Sequence, residues 1–151
     1  MNSVMVALLD VNVLVALAWP SHVHHQPARQ WFSAHRSRGW ATCLLTQLAF
    51  VRLSSEPAVV KTTVAVVEAV RVLQIAVSAA EHEFWPMEQG FLQILPEIRD
   101  RLMGHHQLAD AVLLDLAIRR GGKLATLDRR VESLLPPGSP HRSALEILPV
   151  E

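Results

Sequence analysis

With 151 residues, half of them hydrophobic and under a fifth charged, the chain is no disordered polymer, and it can bury a core that supports a central sheet with several helices. Fourteen basic residues balance fourteen acidic ones, so there is no long-range basic field, and any nucleic-acid binding must come from a local patch or a partner subunit. The single cysteine, Cys43, excludes an intramolecular disulfide and every multi-cysteine zinc site, and the composition predicts one domain over residues 1–151 of a cytoplasmic protein.

The first element is the run Val6-Ala7-Leu8-Leu9, which ends in Asp10-Val11-Asn12. A short continuous apolar run fits a parallel strand covered on both faces, and ligands of open α/β sheets sit outside the carboxyl ends of such strands. Asp10 is therefore expected at the mouth of a crevice, with Asn12 one step into the next helix. Ala16-Leu17-Ala18 has the look of a signal-peptidase site, but no Lys or Arg precedes the apolar segment and Asp10 interrupts it, so a signal peptide is not expected. Nor does any stretch approach the roughly 18 apolar residues of a membrane span.

The helix from Asn12 stops at Trp19-Pro20, and a second is expected from Pro27 to Arg38, capped by Gly39. Trp40 to Cys43 reads as a strand, and Thr46 as the N-cap of a helix carrying Leu48, Phe50, Val51 and Leu53. Lys61, Glu68 and Arg71 share one side at helical spacing, which predicts a helix over Ala58–Gln74 despite its valines. Glu81 to Met87 is expected to hold a short extended piece, and Gln89 to Leu102 a helix interrupted by Pro96. Gln107 to Arg120 is the clearest helix. Leu108, Ala109, Val112, Leu113, Leu116 and Ala117 form its apolar face, Asp115 and Arg119 its charged stripe, and Asp110 lies nearly opposite that stripe. Lys123 to Leu127 is a strand ending in Asp128, and Glu146 to Pro149 a last edge strand. Strands alternating with helices over short connections imply a mostly parallel sheet flanked by helices on both faces.

Asp10, Asp110 and Asp128 are expected to meet in space. Singly, each has a bland reading: a helix N-cap, a first-turn acid favoured by the helix dipole, the start of a turn. Jointly, two follow strand ends on one side of the sheet and the third lies on a buried helix face. Gathered carboxylates repel unless a divalent cation holds them, and oxygen ligands favour Mg²⁺ or Mn²⁺. Such a site can activate water and stabilise a phosphodiester transition state, so hydrolysis of a nucleic acid or nucleotide is the leading expectation.

Leu8-Leu9-Asp10-Val11-Asn12, Thr46-Gln47 with Phe50-Val51-Arg52, Ala109-Asp110-Ala111 and Ala125-Thr126-Leu127-Asp128 occur in the order and approximate spacing of PIN-domain ribonucleases. The chain resembles that family over nearly its whole length, and VapC-type toxins of bacterial toxin–antitoxin pairs most closely. The resemblance implies a PIN-like three-layer α/β/α fold and a metal-dependent endoribonuclease that dimerises and is neutralised by a cognate antitoxin. It makes Asp10, Asp110 and Asp128 metal-binding catalytic acids, supported by Asn12 and Thr126. One departure stands out: the family pattern usually has Glu directly after the capping Thr, and here the residue is Gln47. An amide offers an oxygen but no negative charge and no base. A second reading follows, of an impaired PIN-fold module that binds RNA or a protein without cleaving. An aspartyl phosphatase fits poorly, because Asn12 cannot supply the acid that chemistry needs.

His106 precedes Asp110 by one helical turn, and Arg52, Arg129 and Arg130 lie close in sequence to the motifs. The arginines are candidates for substrate phosphate, weighed against solvated charges or internal partners of the acids; for His106, contact with substrate phosphate or a hydrogen bond to Asp110 is weighed ahead of direct metal ligation. His22, His24 and His25 sit in a polar loop, where metal binding is the weaker reading. Trp19, Trp31, Trp40 and Trp85 are expected mainly in the core.

Overall fold

The computed structural model describes residues 5–150. Five short strands, β1 (Ala7–Leu9), β2 (Trp40–Thr42), β3 (His82–Phe84), β4 (Lys123–Thr126) and β5 (Leu145–Ile147), form one sheet in the order β3-β2-β1-β4-β5. Every neighbouring pair is parallel. The central strand is the apolar run before Asp10, as expected of a strand buried on both faces. Leu8 turns to one core cluster with Ala41, Cys43, Leu114, Leu124 and Leu134; Ala7 and Leu9 turn to another with Val13, Trp31, Trp40 and Phe50. The two clusters put helices on both sides of the sheet, which is the three-layer arrangement anticipated.

The helices are α1 (Val11–Ala18), α2 (His25–His35), α3 (Leu44–Ser54), α4 (Pro57–Val60), α5 (Val66–Val77), α6 (Pro96–Arg99) and α7 (Leu108–Arg119). Among the described residues no helix is long and apolar enough to cross a membrane.

Four expectations need correction. The N-cap of α3 is Cys43, not Thr46; Thr46 stands one turn in and accepts from the Cys43 N–H at 3.0 Å. The expected helix over 58–74 is two helices, because Lys61 adopts a left-handed conformation (φ 65°) that closes α4, and the stretch to Ala65 is not helical. Charge spacing cannot reveal a break whose cause is backbone conformation. Residues 89–102 form one 3-10 turn (Phe91–Gln93) and the single turn α6, with Pro96 starting a helix rather than interrupting one.

The fourth correction explains the third. Asp115 is buried, not part of an exposed stripe: it accepts from the Leu95 N–H at 2.9 Å and pairs with Arg119, which in turn donates to the Gln93 carbonyl. An irregular segment laid over α7 leaves backbone groups unpaired, and this ion pair satisfies them. Leu108 and Ala109, at the start of α7, are exposed instead of buried.

Candidate active site

Asp10 is the residue at which β1 becomes α1. Its N–H continues the ladder to Ala125, and its Oδ1 caps α1 by accepting from Val11 N–H at 2.7 Å. The other oxygen accepts from the buried Thr126 hydroxyl at 2.7 Å. Thr126 is oriented by Asn12, whose amide nitrogen donates to its oxygen at 3.0 Å while the Asn12 oxygen accepts from Leu127 N–H at 3.1 Å. Asn12 and Thr126 thus tie the ends of two adjacent strands together around one carboxylate. Asp10 is 4% exposed, and burial pushes its pKa up against the opposing pull of Thr126 and Val11.

Asp128 follows β4 and is held differently. Arg130 grips it through Nε and a terminal nitrogen, the latter at 2.8 Å, and its own backbone N–H donates to Oδ1 at 2.9 Å. That guanidinium holds the Asp128 carboxyl below its ordinary range. Of the two readings weighed for Arg130, an internal partner is therefore the one the structure takes.

Asp110, in the first turn of α7, has no hydrogen-bond or ion-pair partner among the described residues. Burial first, then the charges of Asp10 and Asp128, push its pKa up to about 7, and Arg130 offsets part of this. The three acids accordingly share one electrostatic field. Among the described residues, however, no group of three or more His, Cys, Asp or Glu side chains is assembled to hold a metal ion. The donor set still fits a hard divalent cation: oxygen donors only, one of them unpartnered and held against ionisation by burial and by the charges of the other two. Arg130 occupies part of the acceptor capacity of Asp128 that a cation would share.

The remaining candidates divide. Gln47 donates to the buried Thr42 hydroxyl at 3.0 Å, at the carboxyl edge of β2. Arg52 and Arg129 are exposed. His106 is exposed and lies against His105, ring centroids 3.9 Å apart, rather than hydrogen-bonded to Asp110. All four tryptophans are buried, so none presents a face to a base. One feature had no usable sequence signal: the contact between Thr42 and His82 across two strands.

The PIN domain family model matches residues 7–134. The chain belongs to the PIN-domain family, among its VapC members. Ribonuclease VapC39 of Mycobacterium tuberculosis is 42% identical to this PIN domain over 124 residues, spanning 82% of this chain and 89% of that protein. Ribonuclease VapC38 of the same organism is 43% identical over 128 residues, 85% and 89% of the two chains, and ribonuclease VapC44 is 39% identical over 133 residues, 88% and 93%. Two solved structures share the PIN fold at lower identity. PAE2754 from Pyrobaculum aerophilum superposes with a TM-score of 0.60 at 20% identity, covering 94% of this chain and 83% of that one. VapBC2 from Rickettsia felis, bound to a DNA fragment from its promoter, gives 0.59 at 16% identity, covering 96% and 100%.

Proposed function

We propose that this PIN domain is a divalent-metal-dependent endoribonuclease, working in the cytoplasm as the toxin of a toxin–antitoxin pair. The observation that carries the reading is Asp110, an unpartnered carboxylate pushed up to about pH 7 by burial and by two neighbouring acids. Such an arrangement destabilises the fold unless something positive enters it. The VapC relatives, named as ribonucleases, support RNA as the substrate.

Asp10, Asp110 and Asp128 would hold Mg²⁺, with Mn²⁺ an alternative of similar donor preference. When bound, the cation supplies water activation and charge stabilisation at phosphorus. Asn12 and Thr126 fix the Asp10 carboxylate, which also keeps α1 capped. Thr46 fixes the start of α3, from which Gln47 presents an amide. Arg52, Arg129 and His106, all exposed, would take phosphate contacts, and Arg130 would be available for one on leaving Asp128. Leu44 and Leu48 on α3 and Val66 and Val67 on α5 are exposed apolar side chains on two helices that pack together, a surface suited to a second copy of the chain. The cognate antitoxin is the proposed second partner.

The deciding experiment is incubation of total bacterial RNA with the purified protein in Mg²⁺, Mn²⁺ or EDTA, beside Asp10→Asn. Asn is chosen because it retains the helix cap. Discrete fragments that require both metal and Asp10 are expected. Absence of cleavage by folded protein at every metal concentration would overturn the reading and leave RNA or protein binding in its place. A second expectation concerns Arg130→Gln, which frees Asp128 and should tighten Mn²⁺ binding measured by direct titration. Weaker binding would show that Arg130 organises the site instead of competing for it.

A further inference from the structure

Thr42 is fully buried on β2, so both the donor and the acceptor capacity of its hydroxyl must be used internally. It has two polar neighbours. The Gln47 amide nitrogen lies 3.0 Å from Oγ1, and Nε2 of His82 lies 2.7 Å from the same atom. His82, on the edge strand β3, also packs its ring against Trp40 at a centroid distance of 4.7 Å. Burial holds the imidazole below its ordinary pKa, so the ring is neutral at pH 7, with one N–H and one lone pair. The Gln47 amide nitrogen donates to the Thr42 oxygen, which leaves the hydroxyl proton to point at His82 Nε2. Nε2 is then the lone pair, and it takes the Thr42 hydroxyl proton.

We propose that His82 is a positioning residue for the carboxylate site: acting through Thr42, it locks the Gln47 amide with its nitrogen inward and its oxygen free as a neutral oxygen donor at the sheet edge that carries Asp10 and Asp128. What that oxygen binds rests on the metal-dependent reading above; the direction of the hydrogen bonds does not. The relay also explains why this position suits an amide. An ionised carboxylate at 47 has no hydrogen to give, so Thr42 would turn to donate to it, and His82 would need a proton on Nε2 to replace the lost bond.

The test has two readouts that do not depend on RNA cleavage. Long-range ¹H–¹⁵N correlation of the His82 ring at pH 7.5 is expected to show a neutral imidazole with its proton on Nδ1, and Gln47→Glu is expected to place a proton on Nε2. Mn²⁺ titration followed by electron paramagnetic resonance gives the second: Thr42→Val is expected to weaken binding about tenfold, the scale of losing an orienting hydrogen bond behind a metal ligand, while Thr42→Ser retains it. His82→Leu should behave as Thr42→Val, and His82→Gln, whose oxygen can accept from Thr42, should recover most of the affinity. A proton on Nε2 in the unmodified protein, an unchanged His82 ring in Gln47→Glu, or equal Mn²⁺ affinity in Thr42→Val and Thr42→Ser would overturn the proposal. If Mn²⁺ does not bind the unmodified protein at all, the metal-dependent reading falls and the positioning role falls with it, while the ring spectra still report whether the relay runs in this direction.

Discussion

Asp110→Asn is expected to remove nearly all RNA cleavage and, at pH 8 without metal, to make the folded protein more stable. The loss of a site carboxylate should cost about 10³-fold in rate, the scale of removing a principal electrostatic group from an active site. The stability gain follows from proton linkage. Asp110 has a folded pKa of about 7 against an ordinary value of 3.8. Between those values the folded chain keeps a proton that the unfolded chain has released, so stability falls as pH rises from about 4 to about 7 and is level above. Asn does not titrate. The two proteins should therefore be about equally stable near pH 4 and differ most at pH 8, by about 1–2 kcal/mol once contact of this half-buried side chain with water is allowed for. Urea unfolding at pH 4, 6 and 8 in EDTA measures this, and Mg²⁺ or Mn²⁺ should restore the unmodified protein's deficit. An identical pH dependence in both proteins would show that neither burial nor the charges of Asp10 and Asp128 raise the Asp110 pKa.

The second large effect is structural. Gly122→Ala is expected to destabilise the fold by about 3 kcal/mol, near the upper end for an inserted methyl, and to lower the Tm by about 10 °C. The added Cβ would lie 2.5 Å from the Val6 carbonyl oxygen and 2.7 Å from the Trp85 ring. Neither neighbour can retreat. Val6 accepts from Lys123 N–H at 3.0 Å in the pairing of β1 with β4, and Trp85 is buried with its indole N–H bonded to Glu83. Because β4 carries Thr126 and leads to Asp128, a shift there would be felt at the site. Gly121, with φ 67° and open space around it, should cost only the backbone strain of about 1 kcal/mol when replaced by Ala. Thermal unfolding of the two variants side by side checks the contrast, and similar small losses in both would show that the packing around Gly122 yields.

Much of the site was legible because its three acids sit at ends of locally encoded elements. The apolar runs before Asp10 and Asp128 mark buried strands by length and hydrophobicity, and the 3.6-residue pattern around Asp110 marks its helix. The parallel order of the strands follows from the same alternation with helices. Asn12 and Thr126 came with the family resemblance, and the structure joins them at 3.0 Å across 114 residues of chain.

The sequence by itself determined the strands β1, β2 and β4, the helix that carries Asp110, and the parallel order that puts Asp10 and Asp128 after the carboxyl ends of adjacent strands. Only the tertiary structure decided what each polar group touches. Arg130 turned from a phosphate candidate into the partner of Asp128, and Asp115 from a surface charge into the buried acceptor for a non-helical segment. Gln47 became one end of a chain through Thr42 to His82. The physical reason is that hydrophobic burial is summed over many residues and leaves a periodic trace along the chain, whereas a hydrogen bond is a single directional contact. Its partner can lie two residues away, as in Arg130 and Asp128, or forty, as in Thr42 and His82, and no local pattern distinguishes the two.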